Sequence, residues 1–163
     1  MSGQNEMIVT GNAVLYVTGD VSMSGQARII IAPGGSLKLY VGGSTTSLGG
    51  NGIVNNGGSA AGFMYYGLTN NTSVSFSGNS TFTGVIYAPN ADLSLAGGGT
   101  TETDFIGASI SKTVRQNGHF KFHYDEALTK YGPAKGYVVT SWNEMTPQEV
   151  GTLPAGVYLQ GTH

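Results

Sequence analysis

Apolar and polar residues alternate along the first 124 positions in short runs, each closed by Gly, Asn or Pro-Gly. The runs at 13–17, 28–31, 37–41, 74–76, 85–87 and 120–124 are rich in β-branched and aromatic residues. Alternation of this kind predicts half-buried strands. Helix signals are almost absent before residue 124, because Gly interrupts every apolar stripe at helical spacing.

The strands also repeat. Val21-Ser22-Met23-Ser24-Gly25, Val74-Ser75-Phe76-Ser77-Gly78 and Leu93-Ser94-Leu95-Ala96-Gly97 share one pattern: apolar, Ser, apolar, small, Gly. Leu15-Tyr16-Val17, Leu39-Tyr40-Val41, Met64-Tyr65-Tyr66 and Ile86-Tyr87-Ala88 form a second family, whose tyrosines recur every 22 to 25 residues. Thr81-Phe82-Thr83-Gly84 returns as Thr103-Asp104-Phe105-Ile106-Gly107 at the same interval. Three strands and three tight turns per period predict a parallel β-helix, each coil stacking ~4.8 Å above the last.

The predicted fold is therefore all-β, a right-handed parallel β-helix of about five coils at 12–35, 36–62, 63–84, 85–107 and 108–128. Residues 1–128 form the solenoid and 129–163 a C-terminal helix-strand cap packed on it, one structural domain in all. A helical turn at 125–131 leads from the solenoid into the cap and is followed by a strand at 136–142. Within the second coil the Gly-rich stretch 45–62 is expected to loop out, making 42–62 the expected partner-contacting excursion. Alternation places Leu15, Leu39, Met64 and Ile86 inside, with Val21, Met23, Val74, Phe76, Phe82, Leu93, Leu95, Phe105, Phe120, Phe122 and Tyr124. It turns Tyr16, Tyr40, Tyr65 and Tyr87 outward as a ladder.

Composition narrows the function classes. With 27 Gly and only 16 charged residues, the chain is neither a coiled coil nor a charged disordered tail. Seven scattered Lys and Arg at a net charge of -2 form no basic stripe, so nucleic acid is not an expected partner. No apolar run approaches the ~20 residues of a membrane span, and residues 1–25 lack the basic start and apolar core of a secretory signal. The absence of cysteine excludes disulfides, thiolate metal sites and a cysteine nucleophile.

The repeats, Gly84-Val85-Ile86-Tyr87-Ala88-Pro89-Asn90-Ala91-Asp92 and Phe122-His123-Tyr124-Asp125-Glu126-Ala127-Leu128 resemble a family of bacterial envelope proteins. In that family a Gly/Ser/Asn-rich β-helix follows a pilin-like, PilX-type segment. Ser141-Trp142-Asn143-Glu144 is similar to the family's tail. The resemblance implies a surface-exposed or pilus-associated module, and it supplies no catalytic residues.

Candidate chemistry is sparse. His119, Lys121, His123 and Asp125 share one strand face, but at ~3.3 Å per residue only His123 and Asp125 come close enough to share a ligand. They are read as a weak polar cluster, with no metal site. Glu102 and Asp104 are the one carboxylate pair that could face the same side, and no cation stands beside them to stabilise developing charge. Gly49-Gly50-Asn51-Gly52-Ile53-Val54 starts like a calcium-binding nonapeptide but has Val54 where the Asp belongs, so it is read as a turn. No enzyme activity and no cofactor are expected.

The tyrosine ladder is the most informative feature, either as a glycan platform or as a seat for Tyr137, Val139 and Trp142 of the C-terminal segment. The expected role is a non-enzymatic extracellular or cell-surface structural and adhesive module, pilus- or envelope-associated. Its partner would be a polysaccharide or another surface protein. The alternatives are a carbohydrate-binding module using the tyrosines and a self-assembling β-helix polymer subunit.

Overall fold

The computed structural model describes residues 1–78, 81–97, 103–118 and 120–131. The chain divides into two compact units, Met1–Pro133 and Ala134–His163, and the first is the solenoid. The predicted strand at 136–142, with Tyr137, Val139 and Trp142, lies outside the described residues, as do His119 and Glu102.

Strands follow one another as β1 (Glu6–Val9), β2 (Asn12–Val17), β3 (Val21–Met23), β4 (Arg28–Ile31), β5 (Ser36–Val41) and β6 (Thr45–Gly50). They continue as β7 (Gly52–Asn55), β8 (Phe63–Gly67), β9 (Ser73–Gly78), β10 (Phe82–Gly97), β11 (Thr103–Gly118) and β12 (Phe120–Tyr124). Every pairing is parallel and joins strands one period apart, so the chain is a parallel β-solenoid. It makes about four turns, against the five expected. The difference turns on where coils are counted from, since β12 supplies only one face of a last, partial coil.

One face carries β1-β4-β7. The second stacks β2, β5, β8 and the first half of β10, and the third stacks β3, β6, β9 and the second half of β10. A register shift between Ala88 and Asp92 turns β10 from the second face to the third.

Inward residues form columns along the axis. Met23, Leu48, Phe76 and Leu95 make one. Phe105 stacks between Phe82 and Phe122, with ring centroids 4.7 Å apart on both sides. Each buried Leu, Ile or Phe contributes about 1.5–3 kcal/mol by leaving water, and because coil n meets only coils n-1 and n+1, stability accumulates turn by turn. Tyr124, expected inside, is exposed at 55%, and Phe122 keeps 47% of its surface in water although it stacks on Phe105. The side chain of Phe120 lies outside the description.

The expected loop at 42–62 is not a loop over most of its length. Thr45–Gly50 and Gly52–Asn55 are regular strands, and only 56–62 leaves the coil, ending in a 3-10 helix at Ala60–Gly62. Two features hid the strands: one of the inward residues of β6 is the polar Thr46, and the glycines read as breakers are corner residues. Gly50 and Gly52, at φ +71° and +63°, make the sharp turn between β6 and β7. The turn read at Gly49 to Val54 is thus confined to the junction at Gly50–Gly52, with Ile53 and Val54 in β7.

The helical turn predicted at 125–131 is a 3-10 helix, Glu126–Tyr131. Asp125 fixes its start: Oδ1 accepts from the Ala127 amide at 3.0 Å, and Oδ2 accepts from the Ala60 amide at 3.1 Å. A single carboxylate therefore ties the two 3-10 helices together. Among the described residues no helix is long and apolar enough to cross a membrane.

Candidate functional site: the outward tyrosine lane

Strict parallel register on the second face aligns like positions of successive coils. Tyr16 lies opposite Tyr40, Tyr40 opposite Tyr66, Tyr66 opposite Tyr87, and Tyr87 opposite Ile110. An outward aromatic lane therefore exists, with Tyr66 and not Tyr65 as its third member.

Tyr65 is the correction. It lies in the inward column with Leu15, Leu39 and Ile86, and none of its surface reaches water. Met64, expected in that column, stands outside beside Lys38. A one-residue slip in a strand reverses every side chain, and aligning the first tyrosine of Tyr65-Tyr66 with Tyr40 made that slip.

Burial of a phenol needs partners, and Tyr65 has two. Its hydroxyl donates to Asn71 Oδ1 at 3.0 Å and lies 2.6 Å from Thr46 Oγ1. Asn71 Nδ2 donates to Thr46 Oγ1 at 3.3 Å and to the Gly43 carbonyl at 2.9 Å. With Thr46 donating to Tyr65, the three side chains close a ring in which every hydroxyl proton is used. Thr46 and Asn71 are the two buried polar residues among those described. Burial pushes the Tyr65 hydroxyl up to about 12, against the pull of its two hydrogen bonds. The ring locks the corner between the second and third faces, so this tyrosine is structural.

Within the lane the rings differ in what they offer. Tyr40 and Tyr66 stack on one another, centroids 4.6 Å apart and planes 10° from parallel, so they present ring edges outward, and the Tyr66 hydroxyl donates to Met64 Sδ at 3.4 Å. Tyr66 and Tyr87 are 6.3 Å apart and tilted by 54°. Burial, and then Tyr40 beside it, push the Tyr66 hydroxyl above its usual range. At the two ends Tyr16 and Tyr87 are 60% and 45% exposed, and they offer ring surface to a partner. Val14 and Ile110 extend the apolar character of this face.

The second sequence candidate, His123 with Asp125, is not brought together as a pair. His123 Nε2 lies 3.3 Å from Asp104 Oδ1 on the neighbouring strand, while Asp125 is committed to two backbone amides. No group of three or more His, Cys, Asp or Glu able to hold a metal ion occurs among the described residues. Asp104, the described half of the carboxylate pair, faces that histidine.

No curated protein and no solved structure matches the chain. Residues 6–131, spanning the twelve strands among the described residues, match the family model of a domain of unknown function, DUF7305, and the chain belongs to that family.

Proposed function

We propose that the chain is a non-enzymatic structural and adhesive module of the cell surface or extracellular space, in which a stiff solenoid holds an aromatic lane against a partner. The observation that carries this reading is the lane itself: Tyr16, Tyr40, Tyr66, Tyr87 and Ile110 in unbroken register on one face. A continuous row of large apolar groups on a surface marks a contact site. Hydrogen-bonded coils preset its spacing, so little ordering entropy is lost when a partner docks. The surface placement is supported by the resemblance of the Gly84 to Asp92 and Phe122 to Leu128 segments to envelope and pilus-associated β-helix proteins.

A polysaccharide is the partner this lane favours, because its ring edges and end rings recur at the ~4.8 Å rise of the coils, close to the length of one sugar residue in an extended chain. Adsorption of the protein to beads coated with purified envelope polysaccharide tests the reading. The Tyr16→Ala/Tyr87→Ala double variant is expected to adsorb about tenfold more weakly, with an unchanged unfolding midpoint. Equal adsorption by both proteins rejects the lane as the contact.

A further inference from the structure

Beside the lane, between the first and second faces, lies a cleft of about 420 Å³. Gly34, Gly35, Gly57 and Gly62 line it without side chains, and Asn12, Ser36, Lys38, Met64 and Tyr131 stand around it. Its volume falls in the range of small-ligand sites.

Four features of the cleft point to one kind of ligand. Lys38 is exposed and makes no ion pair among the described residues, so its ammonium is available. Tyr131, 63% exposed, offers an aromatic ring. The Ser36 hydroxyl donates to Asn12 Oδ1 at 2.8 Å, which orients the Asn12 amide and leaves its N–H donors free. Ser59 accepts from the Ala61 amide at 3.3 Å and keeps its own proton to donate. One point charge, one ring and several neutral donors over a glycine floor suit a pyranose bearing a single carboxylate. A phosphate dianion is better matched by several cations or a guanidinium fork.

The cleft is continuous with the lane. Lys38 and Tyr40 lie two residues apart on one strand, on the same outward side at ~6.6 Å, and Met64 and Tyr66 repeat this one coil on. We propose that the cleft is a subsite for a uronic-acid residue of a polysaccharide laid along the tyrosine lane, its carboxylate on Lys38 and its ring against Tyr131. This inference rests on the polysaccharide reading above and adds to it the charge of the sugar.

The test is calorimetric titration of the full chain with a galacturonic-acid oligomer and with its carboxyl-reduced, neutral counterpart, for the wild type and for Lys38→Gln, Lys38→Arg and Tyr131→Ala. The wild type is expected to bind the acidic oligomer at least roughly fivefold more tightly than the neutral one, the advantage shrinking with added salt. Lys38→Gln abolishes that preference, Lys38→Arg keeps it, and Tyr131→Ala weakens both ligands. Lys38 is exposed, so an unchanged unfolding midpoint checks that the charge alone was altered. Equal binding of the two oligomers, or an unaltered preference in Lys38→Gln, overturns the cleft. If acidic binding then still falls in Tyr16→Ala/Tyr87→Ala, the lane reading stands without the cleft. No binding of either oligomer by the wild type overturns the uronic-acid cleft, and the adsorption assay on envelope polysaccharide then decides the lane separately.

Discussion

Removing one oxygen from the buried ring of Tyr65, Thr46 and Asn71 tests whether that ring locks the corner. Tyr65→Phe keeps the aromatic volume but strands two groups: the Thr46 proton loses its acceptor 2.6 Å away, and Asn71 Oδ1 loses the donor at 3.0 Å. Each orphaned buried group costs about 1–3 kcal/mol, and partial relaxation of Thr46 toward Asn71 brings the expected loss to about 2–3 kcal/mol. For a domain of this length that lowers the melting temperature by about 5–10 °C. The pH dependence adds an independent arm. The folded Tyr65 holds its proton to about 12, the unfolded one only to 10.0. Between those values the native state binds more protons than the unfolded state, so stability present below pH 10 is lost as pH rises toward 12, by an amount on the order of 3 kcal/mol. Tyr65→Phe flattens this alkaline loss while lowering stability at pH 7. Denaturant unfolding followed by circular dichroism at pH 7 and across the alkaline range measures both. A variant as stable as wild type at pH 7, with the same alkaline slope, refutes the closed ring.

Three further substitutions probe the stack. At Gly43 a Cβ would collide with the backbone of Gly19 and Asp20 on the coil below, so Gly43→Ala is expected to cost about 1–3 kcal/mol in denaturant unfolding. Phe82 touches the rings of Phe63, Phe76 and Phe105, and Phe82→Ala is expected to lose about 3–5 kcal/mol in the same assay. Asp125→Ala frees the Ala60 and Ala127 amides; their hydrogen exchange should accelerate, with a loss of about 1–2 kcal/mol.

The parallel solenoid was legible because its cause is local and repeated: every coil needs the same alternation and the same tight corners, so the period is written several times. What escaped depended on groups brought together from different coils. Nothing local marks Tyr65 over Tyr66 as the inward residue; its partners Thr46 and Asn71 come from the preceding coil and the following turn. Thr46 misled twice, since a polar residue at an inward position also disguised β6 as a loop. The lane was visible as a spacing, but the turn of Tyr40 and Tyr66 onto each other depends on packing across the face. His123 and Asp125 were adjacent in the pattern alone. Pairing sends one to Asp104 and the other to the amides of two 3-10 helices.

The account turns on which tyrosines face outward and whether a partner covers them. Nitration of the native protein with tetranitromethane, mapped by mass spectrometry with and without bound envelope polysaccharide, reads both at once. The account predicts rapid modification of Tyr16 and Tyr87, slower modification of the stacked Tyr40 and Tyr66, none at Tyr65, and protection of Tyr16 and Tyr87 when the polysaccharide is bound. Modification of Tyr65 in the folded protein, or lane tyrosines that react equally with and without the polysaccharide, would contradict it.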